Sequence, residues 1–150
     1  VSGGSPAAER LLCDTSFVAV SAKRSAGPGE FASWPNDAVQ RLDVAILAIS
    51  VITLAEARYG YLNAGWRAPR VEREERRLAS FLHIPLDLSI IDEWARLKVL
   101  SRRNGWNLAD NDLWIAATAS ARGFALVTCD GDQARIVDAS LEVVHLAVVP

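Results

Sequence analysis

Three short runs in this chain are almost wholly apolar, and between the second and third lie stretches with helical patterning. No other feature of the sequence limits the possible folds as much. The runs are Arg10–Cys13, ending at Asp14; residues 44–49, Val-Ala-Ile-Leu-Ala-Ile; and residues 124–128, Phe-Ala-Leu-Val-Thr. Runs without polar alternation suit strands covered on both faces, as in parallel sheets whose crossovers are helices. Between them, Ser50 or Thr53 starts a helix running to about residue 65. Residues 68–81 mix charges of both signs at helical spacing, as a solvated helix laced with ion pairs does. Residues 89–104 place Ile90, Ile91, Trp94, Leu97 and Leu100 on one stripe, and Asp110 caps a helix through Arg122 that Gly123 stops. Residues 83–86 and 141–146 are shorter strand candidates. The expectation is an α/β chain with a central, mostly parallel sheet flanked by helices.

Length and composition allow one domain spanning residues 1–150, with 1–9 a flexible extension and 25–35, which holds Gly27, Pro28, Gly29 and Pro35, a loop. With 51% apolar residues and 23% charged, the chain is globular and not disordered. No apolar run reaches the roughly 18 residues of a membrane span. Residues 1–6 lack the charged-then-apolar pattern of a secretory signal, so a cytoplasmic protein is expected. Cys13 and Cys129 make neither a disulfide framework nor a zinc site. The net charge of −2 excludes a protein that coats itself in nucleic acid through bulk positive charge. Any nucleic acid is met through a local patch or a metal ion.

In open α/β sheets, ligands gather beyond the carboxyl ends of the strands. Asp14 follows the first strand and Asp130 follows residues 124–128. Glu56 lies within two turns of the start of its helix, and Asp112 in the first turn of another. Four acids from four segments thus point to one edge. Gathering them costs energy unless a cation neutralises them, and oxygen-only ligands suit Mg²⁺ or Mn²⁺. Each acid also has an ordinary reading. Asp14, Asp110 and Asp112 can serve as helix caps, Asp130 in Asp130-Gly131-Asp132 as a turn residue, and Glu56 as a surface residue.

Four blocks carry a family resemblance. They are Leu11-Leu12-Cys13-Asp14-Thr15-Ser16, Ile49-Ser50-Val51-Ile52-Thr53-Leu54-Ala55-Glu56, Asp110-Asn111-Asp112-Leu113-Trp114-Ile115-Ala116-Ala117-Thr118-Ala119 and Leu126-Val127-Thr128-Cys129-Asp130. In that order they resemble the PIN-domain ribonucleases, and most closely the VapC toxins of bacterial toxin–antitoxin pairs. The resemblance runs from about Leu11 to Leu146. It implies a PIN-like fold and an Mg²⁺- or Mn²⁺-dependent endoribonuclease whose acid quartet is Asp14, Glu56, Asp112 and Asp130. Asp110 matches an additional acid of the subgroup. Metal-assisted hydrolysis with water as nucleophile would leave a 5′-phosphate and a 3′-hydroxyl. The resemblance further implies a cognate VapB-type antitoxin, an RNA substrate and a homodimer. Cys129 stands where many relatives carry Arg, which removes a usual cation from that side of the pocket.

Ser16 and Thr128 are candidates for phosphate or hydration contacts, each equally suited to capping or a strand end. Lys23, Arg24, Arg102, Arg103 and Arg122 are candidates for guiding an RNA backbone, Arg102 and Arg103 foremost because they precede the acidic helix. His83 and His145 sit beside apolar residues as core or edge histidines do, and Trp34, Trp66, Trp94, Trp106 and Trp114 read as packing residues. A phosphoryl-accepting receiver domain is disfavoured because Lys23 and Lys98 are the only lysines and neither ends a late strand. A dinucleotide-binding enzyme is disfavoured because no Gly-x-Gly-x-x-Gly follows the first strand. The alternative function is a catalytically silent PIN-like scaffold that binds RNA or protein. Finally, Cys13 and Cys129 each precede a candidate ligand. In a reducing cytosol the two thiols are expected to be buried and to act as small apolar residues. If Asp14 and Asp130 were in register on adjacent strands, the thiols would be neighbours about 5 Å apart, open to a disulfide under oxidation.

Overall fold

Segments that cannot expose their apolar faces pair side by side. The computed structural model describes residues 3–24 and 34–148. Among these, the strands are β1 (Arg10–Cys13), β2 (Ile46–Ser50), β3 (Leu82–Ile84), β4 (Ala125–Thr128) and β5 (Val143–His145). The helices are α1 (Thr15–Arg24), α2 (Asn36–Val44), α3 (Val51–Asn63), α4 (Ala68–Ala79), α5 (Leu88–Asn104) and α6 (Asp110–Arg122). The strands form one sheet in the order β3-β2-β1-β4-β5, and every pairing is parallel. An isolated antiparallel bridge between Asp138 and Leu141 lies outside the strands.

The period of two along each strand divides the core between the sheet faces. Leu12, Ala48 and Leu126, level with one another across β1, β2 and β4, pack with Ile90 and Leu97 of α5 and with Leu113 and Ala116 of α6. Leu11, Cys13, Ile49 and Val127 face the other way, onto Phe17 and Val18 of α1, Leu42 of α2 and Leu78 of α4. Helix ends follow local chemistry. The Ser50 hydroxyl accepts the Ile52 N–H at 3.1 Å, and Asp87 accepts the Ile90 N–H at 3.0 Å. Gly105 and Gly123 end α5 and α6 with φ of 64° and 68°, where a Cβ would be strained.

The structure corrects several expectations. Residues 44–49 are not one strand. Val44 ends α2 with 76% of its surface exposed, and the strand begins at Ile46. An unbroken apolar run hides this boundary, because Leu42 and not Val44 turns toward the core. The sequence reading assigned neither α1 nor α2, which are short and bury only a few residues each. Asp110 is the first helical residue of α6 and the cap position belongs to Ala109. Residues 3–9 are exposed and outside regular structure, although Glu9 holds Arg41 at 2.6 Å and its carbonyl accepts the Ile46 N–H at 2.8 Å. Of the expected loop at 25–35, residues 25–33 lie outside the described residues.

The chain builds outward from β1 to β2 and β3 on one side, then crosses to β4 and β5 on the other. The order reverses between β1 and β4. In such sheets the crevice for a ligand opens at this point, beyond the carboxyl ends of the two strands.

Candidate active site

Asp14 is the residue that leaves β1 at this crevice. Its N–H extends the sheet to the Val127 carbonyl at 3.0 Å, and its side chain turns into the start of α1. Oδ1 accepts the Phe17 N–H at 2.9 Å and the Ser16 hydroxyl at 2.7 Å, while Oδ2 accepts the Thr128 hydroxyl. The side chain is 2% exposed. Burial raises its carboxyl above the usual range, the three hydrogen bonds oppose that shift, and the Asp130 charge adds to it. Asp14 is therefore a helix cap and a rim carboxylate at once.

Ser16 and Thr128 serve the rim in a different way from the one expected. Each donates its hydroxyl proton to Asp14, Ser16 accepts the Cys129 N–H at 3.0 Å, and Thr128 accepts the Asp130 N–H at 2.9 Å. Thr128 is fully buried. Neither hydroxyl is left to donate to a phosphate. They brace Asp14 against the loop that carries Asp130.

Glu56 is half-buried on α3, and its Oε1 accepts the Thr15 hydroxyl at 2.7 Å. Thr15 also lies 3.2 Å from the hydroxyl of buried Thr53. The first residue of α1 thereby ties α3 to the rim, a link between segments 41 positions apart. Thr15 was not singled out from the sequence and Thr53 was read only as a possible start of its helix, although both lie within the blocks that carry the acids.

Asp112 is half-buried in the first turn of α6 and its carboxylate accepts no hydrogen bond among the described residues. Its pKa is pushed up to about 6, first by burial and then by the charges of Asp130, Glu56, Asp14 and Asp132. These charges lie near enough to bear on Asp112. Asp130 begins a turn in which its Oδ1 accepts the Asp132 N–H at 2.9 Å. Asp132 is thus a fifth acid near the cluster, which the sequence reading treated only as part of a turn. Asp110 points elsewhere and pairs with Lys98 Nζ at 2.7 Å. Gln133, also missed, is fully buried and its Nε2 donates to the Asp112 carbonyl at 3.2 Å. No periodicity or spacing singles out a buried glutamine.

The charges of Asp14, Glu56 and Asp130 thus bear on Asp112, while Asp110 is engaged with α5. Among the described residues, no three His, Cys, Asp or Glu side chains already stand in a metal-holding arrangement. Hydroxyls hold Asp14 and Glu56 in place, and like charges bear on Asp112. The donor chemistry fits a hard divalent ion, being oxygen-only, anionic and mutually repelling.

The basic candidates divide. Arg102 and Arg103 are exposed in the last turn of α5, without an ion pair among the described residues, and Arg102 stands one turn beyond Lys98. Arg122 ends α6, about 18 Å along the helix from Asp110, and pairs with Asp87 at 2.6 Å. That distance removes it from the rim. Lys23 is exposed on α1 and Arg24 has no described side chain. A cavity of about 430 Å³ opens beside Glu56, lined also by Thr15, Ala57, Tyr61, Trp66 and Arg77. Trp34 and Trp106 are buried as expected, and Trp94 stacks on Trp114 with ring centroids 4.7 Å apart.

The cysteine juxtaposition does not hold. Cys13 is level with Val127, so Asp14 is opposite Thr128 and not Asp130. At regular spacing Cys129 is one strand across and two residues along, about 8 Å away, beyond the usual disulfide Cα separation of about 4.4–6.8 Å. Both thiols are free, and burial pushes the Cys129 pKa up to about 12, so neither is primed to react.

The model of the PIN domain matches residues 11–139 of the chain. Among curated relatives, Ribonuclease VapC5 of Mycobacterium tuberculosis is 34% identical over 114 residues, covering 71% of this chain and 84% of that protein. Ribonuclease VapC4 of the same organism is 35% identical over 136 residues, covering 86% and 92%. Among solved structures, VapBC-5 of Mycobacterium tuberculosis, from the VapBC family of toxin–antitoxin systems, matches with a TM-score of 0.66 at 28% identity, covering 91% of this chain and 98% of that one. DNA-bound VapBC of Salmonella typhimurium shares the fold, with a TM-score of 0.69 at 22% identity, covering 91% and 98%. With the PIN model spanning most of its length and VapC relatives at this identity, the chain belongs to the PIN-domain family, in its VapC group.

Proposed function

We propose that this protein is a metal-dependent endoribonuclease toxin that hydrolyses RNA phosphodiester bonds and is silenced by a cognate VapB-type antitoxin. What supports the reading is that the charges of Asp14, Glu56 and Asp130 bear on Asp112, with Asp14 at the reversal point of the sheet, in a chain whose relatives are named ribonucleases. Asp14, Glu56, Asp112 and Asp130 would hold Mg²⁺ or Mn²⁺, with Asp132 at the margin. The bound ion would supply a Lewis acid that acidifies water and offsets charge on the scissile phosphate. The chain's own residues do the rest. Ser16, Thr128 and the Phe17 N–H fix the Asp14 carboxylate, and Thr15 fixes Glu56. Their rotamers are thereby set before any ligand arrives, which limits the reorganisation that binding requires. Arg102 and Arg103 would meet RNA phosphates, a role supported by their exposure at the end of α5, which also carries Lys98.

The structural relatives solved as VapBC complexes support an antitoxin partner. Its segment would enter the cavity beside Glu56 and offer a cation to the carboxylates. A homodimer is supported by Leu88, Ile91, Ala95 and Val99, which form one exposed stripe along α5. Among the described residues no helix is long and apolar enough to cross a membrane, which accords with the cytoplasmic location we propose.

The test is to map RNA 5′ ends after expressing the parent chain or Asp14→Asn. New 5′-phosphate ends should require the parent residue and Mg²⁺ or Mn²⁺ in vitro. Cleavage undiminished by the substitution, or by chelation of the metal, would sink the reading. An unchanged RNA pool with a folded parent would instead favour the silent scaffold.

A further inference from the structure

Two arms of the acidic rim repel each other. The first turn of α6 carries Asp112, and the loop after β4 carries Asp130 and Asp132, whose charges bear on it. Among the described residues the polar side-chain link between these arms is Gln133, whose Nε2 reaches the Asp112 carbonyl at 3.2 Å. Gln133 follows Asp132 directly and is fully buried. Its other amide atom, Oε1, is buried with no donor of the protein to satisfy it. An amide whose hydrogen-bonding capacity is half met is a poor choice for packing alone, because an apolar side chain of like volume would fill the space without an unmet acceptor. What the amide does provide is a fixed distance between the backbone of Asp112 and the loop of Asp130.

We infer that Gln133 is a positioning residue for the divalent ion, clasping the Asp112 arm to the Asp130 arm against their repulsion. This rests on the reading that the acidic rim holds metal. Gln133 touches neither the ion nor the substrate. It acts through the backbone of one ligand and the placement of the next, as groups outside a metal's immediate ligands orient those ligands.

The test pairs two readouts on the full chain: Mn²⁺ binding by calorimetry, and thermal unfolding without metal. Gln133→Met keeps the volume and unbranched shape but removes the amide. It should weaken Mn²⁺ binding about tenfold or more, while the metal-free melting temperature stays level or rises because the unmet acceptor is gone. A packing role predicts instead that stability falls. Met-variant affinity within twofold of the parent overturns the proposal, as does an affinity loss accompanied by a lower metal-free melting temperature. Gln133→Leu repeats the measurement with a branched side chain. If neither variant folds, Gln133 is a folding residue and the inference fails. A parent that binds no Mn²⁺ overturns the metal site itself, which separates that failure from this one.

Discussion

At the residue scale, Asp112 is held in a way that opposes stability. Its carboxyl is half-buried among like charges, and its pKa near 6 stands above the ordinary value of 3.8. Between those values the folded state binds more protons than the unfolded one, so metal-free stability falls as pH rises from about 4 to 6 and stays lower above. After discounting for solvent screening, the loss is on the order of 1–2 kcal/mol. Asp14 is shifted the same way by burial, but its three hydrogen bonds offset part of the effect. Asp112→Asn should therefore abolish cleavage while raising the metal-free melting temperature at pH 7, with the two proteins converging near pH 4. Unfolding curves recorded across pH check this. A variant less stable than the parent at pH 7 would mean that Asp112 is a structural residue.

At the scale of the element, α6 shows how one helix joins core and site. Leu113, Ile115, Ala116, Ala117 and Ala119 are fully buried, so its register against the sheet is rigidly set. That rigidity carries over to the acidic first turn. The helix ends at Gly123 with φ 68°, and a Cβ there would meet nothing within 4 Å. Gly123→Ala thus tests conformational strain without a clash. It should cost about 1–2 kcal/mol and lower the melting temperature by roughly 2–8 °C. Cleavage should be unchanged, since the glycine lies at the end of α6 away from Asp112. A melting temperature equal to that of the parent would show that the cap relaxes out of the left-handed region.

For the whole molecule, the exposed stripe on α5 predicts self-association. Leu88 is 79% exposed, Ile91 44% and Val99 46%, all on one side of the helix. A stripe packing against its own copy about a two-fold axis makes an isologous dimer. Light scattering at micromolar concentration should give a dimer for the parent and a monomer for Ile91→Glu, whereas a monomeric parent would refute the dimer. The same scale separates what was legible from what was not. The apolar runs at β1, β2 and β4 and the long amphipathic pattern of α5 were readable because burial on both faces or on one stripe leaves a periodic trace. The positions of Asp14, Glu56, Asp112 and Asp130 near strand or helix ends were legible too, because distance from those ends is counted along the chain. The end of α2 at Val44 was not, because an apolar residue at a helix terminus looks like the start of a strand. Nor was the engagement of Asp110 by Lys98, the donation of Ser16 and Thr128 to Asp14, or the register that sets Cys13 against Val127. These depend on which strands are neighbours, by how many residues they are offset, and where a long side chain finds its partner. The sequence by itself determined which segments must be buried and which acids stand at their ends. Only the tertiary structure decided which hydroxyls and cations hold those acids, because a pairing between distant segments leaves no periodic mark in either of them.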